Sequence, residues 1–293
     1  RFTCRRSGPG WSGWATLPIT TIDSAAMAFD PRPPCALTIA GSDSGGGAGV
    51  QADLRTFAAH GVHGLCVLAA LTAQNTQGVT AVHVPPATFV RAQIDACFAD
   101  FNIVAVKIGM LANAEVVDAV ADALSAHAPS HIVLDPVMVA TSGAKLLDDD
   151  AHRSLRERLL PMASVLTPNI PEAEVLSGMP IETKEDMLAA AKAIQLKGAQ
   201  AVLVKGGHLP EEADDVLLEA SGVVTWLSAQ RVETKNTHGT GCTLSSAIAC
   251  SLAAGCSLKD AVQNAKTYIT GALKAGLDLG HGSGPLNHMY QMK

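Results

Sequence analysis

The residues best suited to chemistry lie in KNTHGTGCTLSSAIACSLAAG, residues 235–255, where a glycine-rich turn runs directly into a helix-forming segment. Gly239, Thr240, Gly241 and Cys242 are predicted to present backbone N–H groups at the helix N-terminus, and such groups bind anions. Fixed N–H groups also stabilise negative charge that develops in a transition state. The turn therefore predicts a site for an anion, either bound or in transfer.

Cys242 is the reactive side chain of this turn. A position at a helix N-terminus lowers the pKa of a thiol, so the sequence predicts a thiolate near neutral pH. The alternative is a buried structural cysteine. Cys250 and Cys256, which fall within or after the same helix, are interpreted in that second way.

Two acids and a lysine end or follow apolar runs elsewhere in the chain. Asp135 lies in VLDPVM, Glu172 in LTPNIPEAEVL and Lys205 in AVLVKGGH. Paired carboxylates hold Mg²⁺ through water, and a lysine is a compact point charge for phosphate. Each residue also has a structural interpretation: Asp135 as a turn residue, Glu172 as a first-turn helix acid, and Lys205 as an exposed side chain.

Two further segments offer binding groups. GSDSGGGAGVQAD, residues 41–53, has a run of glycines that lets backbone N–H groups approach a ligand. It lacks the ending of a P-loop and the register of GxGxxG, so a tight strand-to-helix turn is the alternative. TAQNTQG places Gln74, Asn75 and Thr76 at a strand end, where amides suit the edge of a neutral heteroaromatic ring; an Asn-Gly turn is the competing interpretation.

The elements between these candidates must bring them together. From residue 35 onward, apolar runs of strand length alternate with helical patterns, which predicts an α/β fold with a mostly parallel sheet between helices. Ligands bind outside the carboxyl ends of such strands, which is where the candidates lie. The predicted strands are CALTIAG, GLCVLAALTA, IVAVKIGM, HIVLDPVMV, SVLTPN, AVLVKGG and a pair within DDVLLEASGVVTWLSAQRVE. The predicted helices are AGVQADLRTFAAHG, PATFVRAQIDACFADF, AEVVDAVADALSAH, DAHRSLRERLLPMA, KEDMLAAAKAIQLKG and residues 240–254 and 258–276.

Composition favours a small-molecule partner. Hydrophobic residues make up 48% of the chain, charged residues 16%, and the formal net charge is -6, so there is no basic surplus for nucleic acid or an anionic membrane. No apolar run approaches the roughly 20 residues that span a bilayer. The 7 cysteines form no CxxC pair and the 10 histidines no HExxH pattern, which disfavours disulfides and zinc and favours the reducing cytoplasm.

We expect one domain over residues 35–290, because no Pro/Ser-rich linker interrupts it. Residues 1–26 hold three arginines and one acid, show no hydrophobic periodicity and precede Met27. They are interpreted as an extension, either upstream or added sequence, or an organelle transit peptide, which has a similar composition. The expected location is therefore the cytoplasm, with an organelle as the alternative if the extension is a transit peptide.

Eight motifs, taken in order, resemble the ribokinase-like superfamily and, within it, the hydroxymethylpyrimidine/phosphomethylpyrimidine kinases of thiamine biosynthesis. They are IAGSDSGGGAGVQADLRTF, TAQNTQGV, KIGML, LDPVMVATSG, LTPNIPEAE, VKGGH, KNTHGTGCTLSSAIA and GHGSGPLNH, and they extend from about Ala36 to Asn287. The resemblance implies a three-layer αβα sandwich, a homodimer and a requirement for Mg²⁺. It also implies transfer of the ATP γ-phosphoryl group to the pyrimidine's hydroxymethyl group and then to the resulting monophosphate.

The resemblance also implies roles for individual positions. The anion hole falls on Gly239, Thr240, Gly241 and Cys242, and Lys205 neutralises the transferring phosphate. Many ribokinase-like enzymes carry an aspartate base at the position of Cys242, whereas the pyrimidine kinases resemble this chain in having cysteine. Cys242 is thus either the base that takes the substrate proton or a residue that shapes the pocket.

The remaining implied positions form three groups. The pyrimidine pocket is Gly41, Gln74, Met110 and Val137; the ATP site is Asn169, Lys205, Gly207 and Thr240; and the Mg²⁺ site, where the metal is held through water, is Asp135 and Glu172. Three alternatives remain beside this interpretation. A pyridoxal or pyridoxine kinase has relatives with the same cysteine motif, a non-catalytic metabolite-binding module would have no need of the phosphoryl-transfer set, and a nicotinamide-dependent dehydrogenase would need a different glycine register.

Overall fold

The computed structural model describes residues 32–138, 149–207 and 213–292. The predicted extension at residues 1–26 lies outside these ranges. So do the last five positions of the LDPVMVATSG motif, residues 139–143, and the histidine that ends VKGGH. Within the described ranges, no helix has both the length and the apolar character needed to cross a membrane.

The described strands form one nine-stranded sheet with the spatial order β3-β2-β1-β4-β5-β6-β7-β8-β9. Their bounds are β1 Cys35–Asp43, β2 His63–Asn75, β3 Gly78–His83, β4 Ile103–Ile108, β5 His131–Leu134, β6 Val165–Leu166, β7 Val202–Val204, β8 Asp215–Leu218 and β9 Val224–Leu227. The six strands from β2 to β7 in the sheet are parallel, whereas β3 at one edge and β8 and β9 at the other are antiparallel.

Helices cover both faces of this sheet. Their bounds are α1 Gly49–Ala59, α2 Ala87–Asp100, α3 Ala114–His127, α4 Asp149–Ser154, α5 Ile170–Ser177, α6 Lys184–Gln195, α7 Thr240–Ala253 and α8 Leu258–Lys274. The predicted helix after residue 150 changes its hydrogen bonding along its length: α4 passes into a π turn at Leu155–Leu159 and a 3₁₀ turn at Leu160–Met162.

Alternate residues of the central strands pack into two separate apolar cores. On β1, for example, Ala36 contacts the core formed with α1, α7 and α8, whereas Leu37 contacts the core formed with α2 to α6. Both faces of the parallel strands are therefore buried, which is why these strands are continuous apolar runs in the sequence. The predicted three-layer arrangement, with a mostly parallel sheet between two layers of helices, is confirmed.

The edge strand β3, like helix α5, is not among the elements that the sequence analysis predicts. The signal for β3 is weak. Most of its residues are exposed, so it lacks the apolar run by which the buried strands are recognised. It follows β2 through a turn in which the Asn75 side chain accepts hydrogen bonds from the N–H groups of Gln77 and Gly78. The Asn-Gly turn considered for TAQNTQG is thus present, and it lies directly beside Gln74.

Two predicted strands are shorter than their apolar runs. The run HIVLDPVMV is a strand only to Leu134, and SVLTPN only at Val165–Leu166. In both cases a proline follows, and proline cannot donate a ladder hydrogen bond. The chain therefore leaves the sheet early, and the residues after each strand, Asp135 and Asn169 among them, are free to face the cavity above it.

Candidate functional site

A cavity of about 540 Å³ opens at the carboxyl ends of the parallel strands. Segments that follow β1, β4, β5, β6 and β7 line it, together with β2 and the first turn of α7, as expected for an open parallel sheet. Among its lining residues are Gly41, Gln74, Met110, Asp135, Val137, Asn169, Glu172, Lys205, Gly239, Thr240, Gly241 and Cys242. All of these were singled out in the sequence.

Three candidates do not line the cavity: Asn75, Thr76 and Gly207. The carbonyl oxygen of Gly207 accepts a hydrogen bond of 2.7 Å from Nη2 of Arg231. The segment directly after it, residues 208–212, lies outside the described residues.

A buried ion pair joins Lys205 and Asp135 at one end of the cavity. Lys205 Nζ donates to Asp135 Oδ1 at 3.0 Å, and the Thr167 hydroxyl donates to the same oxygen at 3.2 Å. Burial opposes the charge of Lys205, but the neighbouring Asp135 and Glu172 carboxylates outweigh it and raise the pKa of Lys205 above its ordinary value. The lysine is therefore a fixed positive charge facing the cavity.

Glu172 lies beside this pair, and burial opposes the charge of its carboxylate. It forms a capping box with Asn169: its carboxylate accepts from the Asn169 N–H at 2.9 Å, and the Asn169 side chain accepts from the Glu172 N–H at 2.9 Å. Burial raises the pKa of Glu172 to about 7, helped by Asp135 and opposed by Lys205. The interpretation of Glu172 as a first-turn helix acid is thus correct, yet its carboxylate also lines the cavity.

The N-terminus of α7 faces the same ion pair. Gly239 precedes the helix with φ +86°, and no side chain caps the first turn. The Thr240 N–H is used within the turn, because it donates to the Thr237 carbonyl at 3.3 Å. In the described part of the chain the N–H groups of Gly241 and Cys242 have no acceptor, which leaves them available to an anion.

Gly241 brings these N–H groups close to the charges. A Cβ atom at this position would lie 3.3 Å from Lys205 Nζ and 3.4 Å from Asp135 Oδ2. The absence of a side chain therefore allows the first turn of α7 to approach the ion pair directly. Positive groups from two different elements, the lysine and the helix N-terminus, converge on one part of the cavity.

The predicted lowering of the Cys242 pKa is wrong. Burial raises the pKa of this thiol to about 11, with Asp53 and Asp135 acting in the same direction. Lys107 and a hydrogen bond from the Gly49 N–H act in the opposite direction but do not outweigh the loss of water. The thiol is thus predominantly protonated near neutral pH in the unliganded protein.

Sequence reasoning missed an Asp–His pair in the cavity lining. Asp43 Oδ2 lies 2.8 Å from Nε2 of His238, and the Asp43 carboxylate accepts N–H groups of Gly45, Gly47 and Ala48 at 2.8 to 3.0 Å. Burial raises the pKa of Asp43, but the His238 and backbone hydrogen bonds outweigh it and the net change is a lowering. Asp43 is therefore the carboxylate that shapes the glycine-rich loop.

A signal for this pair was present in the sequence. Asp43 opens the glycine run in GSDSGGG, and His238 directly precedes GTGC. Their pairing joins residues that are far apart along the chain, and no local pattern specifies that. His238 Nε2 also lies 3.3 Å from the amide nitrogen of Gln74, so the pair borders the predicted pyrimidine pocket.

The donor set suits a hard divalent cation. Within the described ranges no group of three or more His, Cys, Asp or Glu side chains could hold a metal ion by itself. Mg²⁺, however, is held by one or two carboxylates together with water and substrate phosphate oxygens. Asp135 and Glu172 supply two carboxylates to one cavity.

The fold is that of a ribokinase-like α/β protein. The sequence model of the phosphomethylpyrimidine kinase family matches residues 43–287. The chain therefore belongs to the phosphomethylpyrimidine kinase family, as its motifs indicate.

Individual relatives agree with this assignment. A hydroxymethylpyrimidine/phosphomethylpyrimidine kinase of Rhizobium meliloti (strain 1021) is 52% identical over 260 residues, which is 87% of this chain and 97% of the relative. The crystal structure of a phosphomethylpyrimidine kinase from Clostridium difficile 630 is similar with a TM-score of 0.73 and 43% identity, covering 81% of this chain and 98% of that one. The ADP complex of Bacillus subtilis pyridoxal kinase is similar with a TM-score of 0.81 and 37% identity, covering 88% and 98%.

The buried Glu172 predicts a pH-dependent stability difference. Its folded-state pKa of about 7 lies above the ordinary value of 4.5, so the folded protein binds this proton more tightly than the unfolded chain does. Wild-type stability should therefore be lost as pH rises through about 7, relative to Glu172→Gln, which cannot ionise. We expect the variant's advantage in free energy of unfolding to grow between pH 5 and 8, to on the order of 1–3 kcal/mol. Denaturant unfolding at several pH values measures this.

The matched control is Glu185→Gln, which changes an exposed glutamate in the first turn of α6. It should show no comparable growth with pH. A Glu172→Gln variant that is less stable than wild type at pH 8 would contradict the electrostatic description of this carboxylate.

Proposed function

We propose that this chain uses ATP to phosphorylate 4-amino-5-hydroxymethyl-2-methylpyrimidine and then converts the monophosphate to the diphosphate, in thiamine biosynthesis. The observation that carries this proposal is the Lys205–Asp135 ion pair facing the uncapped first turn of α7. Membership of the phosphomethylpyrimidine kinase family supports the same reaction.

The transferring phosphoryl group is bound between Lys205 and the N–H groups of Gly241 and Cys242. Phosphoryl transfer needs little covalent chemistry from the protein, because its transition state carries spread negative charge that must be positioned and stabilised. Backbone N–H groups and a lysine already held by Asp135 do this without reorganising during the reaction. The family's anion-hole assignment of Gly239 and Thr240 fits a supporting role, since they set the turn that aims the next two N–H groups.

The pyrimidine ring lies at the other end of the cavity, among Gly41, Gln74, Met110 and Val137. Gly41 has no side chain and lies against Met110, whose sulfur would be 3.1 Å from a Cβ at that position. The Gln74 amide offers a donor and an acceptor to the ring edge, and the Thr72 hydroxyl orients it by donating to its carbonyl at 3.0 Å. An apolar slot with one oriented amide recognises a flat, neutral heteroaromatic ring.

Nucleotide and metal are held on the side of Asn169. We assign ATP contacts to Asn169, Lys205, Gly207 and Thr240, with Gly207 placed along the approach to the cavity rather than in its lining. Asp135 and Glu172 hold Mg²⁺ through water. When bound, Mg²⁺ neutralises charge on the phosphate oxygens.

Cys242 lies where the substrate hydroxyl meets the transferring phosphate. Since its thiol has a pKa of about 11, it is a base only in a minor deprotonated fraction or after the bound substrates change its surroundings. As a neutral thiol it shapes the pocket, and the phosphate itself accepts the proton. A rise in turnover between pH 7 and 9 that depends on Cys242 distinguishes the first role from the second.

We further propose a single catalytic domain over residues 35–290, with residues 1–26 as an extension, acting as a homodimer in the cytoplasm. The family resemblance and the six free cysteines of the described residues support this. Light scattering on the purified chain, with and without residues 1–26, tests both the assembly and the dispensability of the extension.

The experiment that tests the proposed function is a coupled ADP-release assay with Mg-ATP. It offers the hydroxymethylpyrimidine, its monophosphate and pyridoxal in parallel. Turnover of both pyrimidines is expected. Turnover of pyridoxal alone would indicate a pyridoxal kinase, the activity named for the similar Bacillus subtilis protein. If none of the three compounds is turned over, the chain would be a non-catalytic binding module.

Lys205→Ala should lower kcat/KM by about 10²–10³-fold, because it removes one fixed positive charge from the transition state. Steady-state kinetics with Mg-ATP and the pyrimidine measure this. Lys192→Ala, which removes an exposed lysine on α6, is the control and should leave the kinetics unchanged. An unchanged kcat/KM in Lys205→Ala would refute the role assigned to it.

Cys242→Ala should lower turnover by about 10²-fold or more if the thiol takes the substrate proton, while nucleotide affinity stays near the wild-type value. Turnover assays give the first quantity and calorimetry with a nonhydrolysable ATP analogue gives the second. Wild-type turnover in this variant would remove the thiol from the mechanism.

A further inference from the structure

A second buried ion pair lies beneath the cavity, outside its lining. Asp53 of α1 accepts two hydrogen bonds from Lys107 Nζ of β4, at 2.9 and 3.0 Å. It also accepts from the Thr38 hydroxyl of β1 at 2.6 Å and the Ser246 hydroxyl of α7 at 2.7 Å. All four side chains are completely buried, so one carboxylate connects four elements of the fold.

This carboxylate is fully satisfied. Each of its oxygens accepts one lysine hydrogen bond and one hydroxyl hydrogen bond. Burial disfavours the charge of Lys107, but Asp53 together with Cys242 and Asp135 outweighs it and raises the pKa of Lys107, so the lysine stays charged. A buried ion pair of this kind adds little net stability compared with apolar packing, but it fixes the relative positions of its partners when every polar atom is paired.

The contact between α1 and α7 has two levels that are one helical turn apart. On α1, Gly49 and Asp53 are four residues apart; on α7, Cys242 and Ser246 have the same spacing, which places each pair on one helix face. At the upper level the Gly49 N–H lies near the Cys242 thiol and acts to lower its pKa, and at the lower level Asp53 accepts from Ser246. The first turn of α7 is therefore aligned from one turn below.

The lower level is needed because the N-terminus of α7 has no capping side chain of its own. The anion-binding N–H groups of this turn must be held close to their working positions, since a shift of about 1 Å in a catalytic group costs about 10²-fold in rate. Ser246 ties the turn to the sheet through Asp53 without entering the cavity.

We propose that Asp53 is a positioning residue for phosphoryl transfer, acting through Ser246 to align the Gly241–Cys242 turn with Lys205. This inference rests on the proposed function for its catalytic consequence, whereas the alignment itself is a property of the fold. Asp53, Lys107 and Ser246 do not line the cavity. They fix the position of the first turn of α7, which does.

Ser246→Ala tests the proposal, and Thr38→Val is its matched control. Each variant removes one buried hydroxyl hydrogen bond to Asp53, but Ser246 lies on α7 and Thr38 on β1. We expect Ser246→Ala to lower kcat about 10- to 100-fold with KM for ATP and pyrimidine unchanged, because the loss falls on the transition state. Thr38→Val should retain kcat within about threefold while losing comparable stability.

Other outcomes overturn the proposal. Equal losses of kcat in the two variants would mean that the network acts through general stability, and a change confined to KM would place its effect on ground-state binding. Ser246→Cys keeps the side-chain shape with a somewhat larger atom and a weaker donor, and it should give an intermediate kcat. It also serves as the test variant if Ser246→Ala fails to fold.

Alkylation of Cys242 by iodoacetamide, followed by peptide mass spectrometry, tests the alignment without any turnover. We expect Ser246→Ala to increase the alkylation rate of Cys242 severalfold relative to that of Cys250, which is buried on the same helix, and Thr38→Val to leave this ratio unchanged. An unchanged ratio in Ser246→Ala would overturn the alignment. A wild-type protein that turns over no pyrimidine would instead overturn the proposed function, and the alkylation result would still decide the alignment.

Discussion

The ion pair between Lys205 and Asp135 constrains the rest of this structure. Two charges withdrawn from water at the carboxyl edge of a sheet are tolerated only if their surroundings supply hydrogen bonds and exclude competing arrangements. The Thr167 hydroxyl donates a hydrogen bond to Asp135, and Gly241, which has no side chain, lets the N-terminus of α7 approach both charges. Behind Lys205, the N–H of Gly206 donates to Asp215, which is itself paired with Lys266 of α8 at 2.6 Å. Contacts of Lys205 itself in the cavity and of the next residue, Gly206, therefore fix the position of the lysine.

Carboxylates that bridge several elements recur in the described structure. Asp43 organises the glycine-rich loop after β1, Asp53 connects α1 and α7 to the sheet, and Asp215 connects α8 to the end of β7. Each accepts hydrogen bonds from residues that are distant along the chain. Apolar packing sets the three layers, but the hydrophobic effect is not directional. Directional polar contacts at the edge of the core supply the accuracy that a phosphate site requires.

The sequence predicted the layers and most of the cavity lining because both depend on local patterns: apolar runs for buried strands and polar residues where those runs end. It did not predict the pairing of Asp43 with His238 or of Asp53 with Lys107, because long-range pairs leave no local pattern. The error on Cys242 has a related cause. A helix N-terminus stabilises a nearby anion by about 0.3–2 kcal/mol. Loss of water around the half-buried Cys242 thiol opposes its charge more strongly, so desolvation decides the sign. Burial becomes visible only once the chain is folded.

Close backbone contacts at two glycines limit which substitutions this cavity tolerates. A side chain at Gly239 would overlap the carbonyl oxygen of Gly47, and one at Gly49 would overlap that of Gly41. Backbone therefore meets backbone at these two glycines, and a substitution at either one must displace the main chain. Met110 and Val137 enter the cavity as side chains from strand ends, where one apolar residue replaces another without moving the main chain. Parts of the cavity lining are thus closely packed main chain and other parts are side chains, and the two kinds of lining tolerate substitution to different degrees.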